Sequence, residues 1–205
     1  MERDTDIQAL LFDLGGVVID IDFERAITCW STLSKMPAEK VRERFTFDMD
    51  YERHERGEID MHEYFDSLRC SLGLVLSDEQ MLVGWNAIFV SEIAGIDDLL
   101  RRVSRWTQLY AFSNSNLAHQ SIWEHDYSKV LRHFRTVFTS SALGARKPEL
   151  RAFLAVCEAA KITPEQTLFF DDSLVNIRGA SAAGMSAVLV RSIQDVEHAL
   201  AEFGI

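Results

Sequence analysis

Short, uninterrupted apolar runs constrain the fold of this chain more than any other feature. They are Ala9-Leu10-Leu11-Phe12, Leu109-Tyr110-Ala111-Phe112, Val137-Phe138, Leu168-Phe169-Phe170 and Ala187-Val188-Leu189-Val190. They are too short for helices, and they do not alternate apolar with polar residues. Strands covered on both faces have that pattern. Between the later runs lie helical stretches at 95–105, about 118–132, 148–160 and 175–183, with Gly184 placed to stop the last. Strand and helix alternating in this way predict an α/β fold, a doubly wound and mostly parallel Rossmann-like sheet.

The segment from about 23 to 89 departs from that rhythm. It offers no convincing strand. It carries helix-start signals instead: Pro37 at a first helical position, and Asp60-Met61-His62-Glu63 and Ser77-Asp78-Glu79-Gln80 as capping boxes. These predict a small helical bundle inserted after the first strand. The expected organisation is an α/β core over 1–19 and 95–205 with a helical cap over 20–94. Trp30, Phe45, Phe47, Tyr51, Phe65, Trp85 and Phe89 are read as the packing of that bundle rather than as a ligand box.

The formal net charge of −11 leaves no basic stripe for a phosphate backbone, so a nucleic-acid partner is disfavoured. An anionic substrate would have to be held locally, by a divalent cation or by a few placed cations and N–H groups. No apolar run reaches membrane-spanning length. The acidic start, Met1 to Asp6, lacks the basic and apolar regions of a signal peptide. Cys29, Cys70 and Cys157 are scattered, which reads as free thiols, small buried hydrophobes in a reducing cytoplasm.

Ligands of a doubly wound sheet bind beyond the carboxyl ends of its strands, so the residues just past each run belong together. Asp171-Asp172 places two carboxylates side by side at a buried strand end, where they repel each other and lose hydration. A divalent cation relieves both problems, and an all-oxygen set suits Mg²⁺. A helix cap would explain one of the pair only. Asp13 follows the first run and precedes Gly15 and Gly16, which let the backbone turn sharply against a ligand. Taken alone, Asp-x-Gly is equally an ordinary turn. Lys147-Pro148 sets a cation at an expected helix start, where an anion would offset the unfavourable dipole. Its plainer reading is a solvated lysine. Ser113-Asn114-Ser115-Asn116 could hold phosphate oxygens through hydroxyl and N–H groups, or could simply cap a helix.

The order of these four signals resembles the haloacid dehalogenase-like superfamily over essentially the whole chain, and the helical insert resembles that family's first type of cap. Within the family the chain looks most like the bacterial α-D-glucose-1-phosphate phosphatases, on Phe12-Asp13-Leu14-Gly15, Asp20-Ile21-Asp22-Phe23, His54-Glu55-Arg56-Gly57-Glu58-Ile59 and Phe169-Phe170-Asp171-Asp172. The resemblance implies a Mg²⁺-dependent phosphatase acting on a small phosphorylated metabolite such as a sugar phosphate. Asp13 would be the nucleophile and a metal ligand. Gly15 would give its carbonyl to the metal, Asp172 would bind it directly and Asp171 through water. Ser113 and Asn114 would bind the phosphoryl oxygens, and Lys147 would neutralise charge between phosphate and nucleophile. Asn176 stands where a second acidic residue is common, which would weaken that metal contact.

One departure matters. Most phosphatases of the superfamily carry a second Asp two residues after the nucleophile, which protonates the leaving alcohol. Here that residue is Gly15. An anomeric sugar phosphate, with its less basic leaving group, needs little acid help. Alternatively a cap residue supplies the proton, with His54, Glu55 and Glu58 as candidates, although surface charge explains those three more simply. A metal-independent 2-haloacid dehalogenase also lacks the second Asp, but does not usually keep the Asp171-Asp172 pair. A catalytically silent binding protein is compatible with Gly15. A phospho-acceptor receiver domain uses similar residues in a different order.

Overall fold

The structure, a computed structural model, describes residues 7–205. The acidic segment before Ile7, and the expectation about a signal peptide that rested on it, lie outside the described residues. Five strands form one parallel sheet in the order β5-β4-β1-β6-β7: β1 (Ala9–Phe12), β4 (Gln108–Ser113), β5 (Thr136–Thr139), β6 (Thr167–Asp171) and β7 (Ser186–Leu189). Each of the five apolar runs lies largely within one of these strands.

The central strand shows why the runs are continuous. Leu10 and Phe12 face a core completed by Leu99 and Leu100 of α6 (Ile96–Val103), Val130 of α8 (Ser128–Leu131) and Val196 of α12 (Ile193–Glu202). Ala9 and Leu11 face the opposite core, with Phe153 and Val156 of α10 (Leu150–Ala160) and Ala180 of α11 (Leu174–Ala182). Both faces are dry, so neither can tolerate the polar half of an alternating strand. Phe12 stacks on Phe170 across the β1–β6 pair, ring centroids 4.7 Å apart.

After β1 the chain makes a short antiparallel pair that the sequence reading did not foresee. It joins β2 (Ile19–Ile21) to β3 (Phe89–Glu92), with a register shift between Asp20 and Ile21. These strands are three and four residues long, β2 only partly buried and β3 exposing Val90 and Ser91, so their pattern falls below any periodicity signal. Between them run α1 (Phe23–Ser34), α2 (Ala38–Arg44), α3 (Met49–Glu55), α4 (Met61–Leu72) and α5 (Asp78–Asn86). Both expected capping boxes are present, at Asp60 with Glu63 and at Ser77 with Gln80. Pro37 precedes its helix rather than opening it.

The five helices bury a separate core around Trp30, Phe65 and Trp85. The rest of the expected aromatic stripe divides. Phe45 packs at the edge of that core, while Phe47, Tyr51 and Phe89 line the cavity described below. All three thiols are free, but only Cys157 is buried, and Cys70 is exposed. No described helix is long and apolar enough to cross a membrane.

The α1–α5 packing depends on one missing side chain. The Trp30 indole lies against the α5 backbone and donates from Nε1 to the Met81 carbonyl at 3.0 Å. A Cβ on Gly84 would fall inside the volume of that indole. Gly84→Ala is therefore expected to destabilise the helical insert by about 1–3 kcal/mol through overpacking, in spite of alanine's better helix propensity. Urea unfolding followed by tryptophan fluorescence measures it; an unchanged or raised midpoint would contradict this packing account.

Candidate active site

The carboxyl ends of β1, β4 and β6 converge, and the site residues stand there because the strand order puts β1 between the other two. Asp13 directly follows β1, fixed by its N–H donating to the Phe170 carbonyl at 2.8 Å. Ser113 closes β4 and Asp171 closes β6. Lys147 enters from the segment after α9 (Ser140–Leu143), and its Nζ lies 2.8 Å from both Asp13 Oδ1 and Asp171 Oδ2. The lysine is 1% exposed, with the rings of Phe112 and Phe169 about 5.5 Å from its ammonium.

One expectation about this segment needs correction. Lys147 is not a solvated lysine at a helix start: α10 begins at Leu150, and Pro148 precedes it on a cis peptide bond. Asn114 turns its carboxamide to the backbone of Lys147. Its Oδ1 accepts from the Lys147 N–H at 2.8 Å, and its Nδ2 donates to the Lys147 carbonyl at 2.9 Å. Both arms of the side chain hold the lysine's backbone, which makes Asn114 a positioning residue for Lys147. Farther along that loop, Asn116 caps α7 (Leu117–Asp126) by accepting from the His119 N–H.

The paired aspartates have different surroundings. Asp171 is fully buried and accepts from Lys147 Nζ, the Ser173 N–H at 2.8 Å and Asn176 Nδ2 at 3.0 and 3.1 Å. Asn176 is thus a donor to Asp171, and an acidic residue there would oppose it. Asp172 turns into the cavity instead. Oxygens of Asp13, Asp171 and Asp172 lie within 4.8 Å of one another, a spacing that fits one metal ion. Gly16, at φ +75°, leaves room for the Asp172 carboxylate, which a Cβ there would strike.

Charge crowding shows in the titration of these groups. Burial raises the Asp13 carboxyl well above the ordinary range, and Asp171 and Asp172 add to this while Lys147 opposes it. Asp172 is raised by its enclosure and by Asp171. Burial works against the Lys147 ammonium, but Asp13 and Asp171 outweigh it and leave the pKa raised. One cation therefore serves three carboxylates. The donor set and the uncompensated charge both suit an oxygen-ligated divalent cation.

In front of Asp13 lies a cavity of about 400 Å³. Phe23, Phe47, Phe89 and Trp123 give it aromatic walls, and Glu55 and Arg146 give it a polar end. Glu55 and His54 correct the surface-charge reading: they are 3% and 5% exposed, whereas Glu58 is exposed as expected. Glu55 Oε2 accepts from Arg146 Nε at 2.6 Å, a bridge between α3 and the Lys147 segment. Arg146 and His119 were missed from the sequence. Arg146 adjoins a chosen residue and carried that hint; a lone histidine in an uncertain helix carried none.

These features define a capped α/β hydrolase site built on an aspartate, a lysine and an acidic pair. The family model of the haloacid dehalogenase-like hydrolases matches residues 7–184, and the chain belongs to that family. It is 23% identical over 176 residues to a D-ribitol-5-phosphate phosphatase of Bacteroides thetaiotaomicron, covering 83% of this chain and 85% of that protein. It is 27% identical over 199 residues to phosphatase MT3486 of Mycobacterium tuberculosis, covering 90% and 87%. Among solved structures it is similar to a HAD family enzyme of Bacteroides thetaiotaomicron in complex with magnesium and inorganic phosphate. That match has a TM-score of 0.79 and 30% identity, covering 94% of this chain and 98% of that one.

His119 makes the site's stability sensitive to acid. It stacks on Trp85, its Nε2 donates to the Trp85 carbonyl at 3.0 Å, and burial pushes its pKa down to about 4. Between that value and the ordinary 6.5, the unfolded chain binds a proton that the folded chain refuses. The stabilisation is complete above pH 6.5 and is lost as pH falls toward 4, by about 3 kcal/mol in total. His119→Gln should flatten the pH dependence of urea-unfolding free energy across that window; an unaltered slope would sink the assignment.

Proposed function

We propose that this protein is a Mg²⁺-dependent phosphatase that hydrolyses a small phosphomonoester through an aspartyl-phosphate on Asp13. The observation that carries this reading is the Lys147 ammonium held 2.8 Å from Asp13 beside the Asp171-Asp172 pair. Mg²⁺ would be held by Asp13, the Gly15 carbonyl and Asp172, with Asp171 acting through water because its own oxygens already serve other donors. When bound, it supplies positive charge to the phosphoryl oxygens.

The remaining steps belong to the chain. Asp13 is held at a strand end by backbone hydrogen bonds and attacks phosphorus in line. Lys147 keeps the nucleophile oriented and offsets charge that builds on the transferring group. The Ser113 hydroxyl faces the same cavity and binds a phosphoryl oxygen. The insert helices roof the cavity and limit access of bulk water. Water then hydrolyses the acyl phosphate.

A sugar phosphate such as glucose 1-phosphate fits the cavity's chemistry. Aromatic walls offer stacking faces to a sugar ring, and the Glu55–Arg146 end offers hydroxyl partners. A named relative acts on a sugar-alcohol phosphate, which belongs in the same panel. The absence of a basic stripe argues against a nucleic-acid substrate, and three free thiols support a cytoplasmic setting.

The test is turnover of sugar and sugar-alcohol phosphates and of p-nitrophenyl phosphate, with Mg²⁺ and with EDTA. We expect activity that EDTA abolishes and Mg²⁺ restores, and a loss of at least about 10³-fold in Asp13→Asn. Turnover indifferent to both changes would refute the reading. Metal-free chloride release from 2-chloropropionate would replace it with a dehalogenase.

A further inference from the structure

The proposed reaction needs a group that gives a proton to the leaving oxygen, and the position two residues after Asp13 cannot provide one. Gly15 has no side chain. The space a side chain would enter is filled from β2: a Cβ there would stand 2.8 Å from Ile21 Cδ1. The donor must come from another wall of the cavity.

Asp13 is committed as nucleophile and Asp172 faces the metal position. Lys147 is shared between two carboxylates. Arg146 does not release a proton in this range. His119 is neutral at working pH: its Nε2–H is given to the Trp85 carbonyl, and Nδ1 faces Asn116 Nδ2 at 3.4 Å. Tyr51 is half-buried, and desolvation together with the Glu55 carboxylate pushes its phenol well above its ordinary value. Of the cap residues, His54 faces away from this cavity, with Nδ1 directed at the Ile59 carbonyl, and Glu58 is exposed. Glu55 remains. It lies on the last turn of α3, is 3% exposed and lines the cavity that holds Asp13.

We infer that Glu55, carried by the helical insert, is the acid–base residue of this site. The inference rests on the phosphatase reading. In the first step Asp13 Oδ forms the bond to phosphorus, the ester P–O bond breaks, and the Glu55 carboxyl proton passes to the leaving oxygen to give the alcohol. In the second step water attacks the aspartyl-phosphate, Glu55 takes its proton, and phosphate and free Asp13 result. Each turnover returns Glu55 to its starting state, so no further reactant is required.

The surroundings suit a group that must hold a proton and give it back. Burial raises the Glu55 carboxyl, while Arg146, Tyr51 and Lys147 pull it the other way. Glu52 on the same helix and Tyr64 on α4 complete the nearby titratable groups, Glu52 meeting Arg146 at 3.1 Å. Arg146 also fixes the carboxyl's direction through its 2.6 Å bond to Oε2.

A leaving-group series tests the role. Nitrophenolate departs without a proton, whereas an alkoxide needs one. In Glu55→Gln, kcat/KM for alkyl and sugar phosphates should fall by about 10²–10⁴-fold more than kcat/KM for p-nitrophenyl phosphate. The variant should also release a burst of nitrophenolate stoichiometric with enzyme, followed by slow turnover, because the aspartyl-phosphate then lacks its base. Far-UV circular dichroism and the urea-unfolding midpoint of the variant serve as the folding controls. Across alkyl esters, wild-type kcat/KM should depend weakly on leaving-group basicity, a readout that needs no variant. Equal losses on both ester types, no loss on either, or a steep wild-type dependence each overturn the role. An inert wild type overturns the phosphatase reading and this inference together, whereas an active wild type with an indifferent Glu55→Gln overturns this inference alone.

Discussion

A lysine ammonium sealed between two carboxylates is the constraint on which this site depends. Lys147 is all but inaccessible, and an unpaired cation there would cost several kcal/mol. Asp13 and Asp171 remove that cost, and Asn114 holds the lysine's backbone from both sides. The arrangement works in both directions. The lysine is tolerated only because the carboxylates flank it, and the carboxylates can approach each other only because the lysine stands between them. With Asp172 added, one positive charge faces three negative ones, so the assembly is incomplete without further positive charge. A divalent cation supplies it in the form these oxygens prefer.

The sheet explains how residues so far apart in sequence meet. Asp13, Ser113 and Asp171 end three neighbouring strands, and a parallel sheet brings all its carboxyl ends to one edge. The strands are dry on both faces, so their backbones are held by packing as well as by hydrogen bonds. A side chain at such a strand end inherits that rigidity. Asp171 goes further, its carboxylate taking hydrogen bonds from an ammonium, an amide N–H and an asparagine. It braces the lysine and the turn into α11, and leaves Asp172 to face the cavity.

How much of this was legible in the sequence follows from the range of each signal. The five parallel strands were readable because burial on both faces writes itself as a continuous run. The helical insert was readable because capping boxes are local. The meeting of Asp13, Ser113 and Asp172 was readable because topology places strand ends together. The β2–β3 pair was not, because three or four residues with polar positions carry no period. The hold of Asn114 on the backbone of Lys147 was not legible, because the two are distant in sequence. Glu55 and His54 looked like surface charge because charge on a short helix is usually solvated; His54 is covered by Tyr64 and Trp85 of the insert's own core, and Glu55 by the far wall, contributed by another part of the chain.

That far wall ties the insert to the chemistry. The segment that delivers Lys147 also carries Arg146 and Glu149. Arg146 reaches Glu52 and Glu55 of α3, and Glu149 accepts from Arg56 just beyond that helix at 2.6 Å. These pairs are half-buried or deeper, where ion pairs are screened less than on open surface. Gly57 strengthens the connection: it sits at φ +68°, and a Cβ there would stand 2.8 Å from the Ser141 carbonyl of α9. The insert therefore meets the core at the loop that positions the lysine. A displacement of α3 would draw on Arg146, and through the next peptide on the ammonium beside Asp13. The insert's contacts and the lysine beside the nucleophile therefore share one short stretch of backbone.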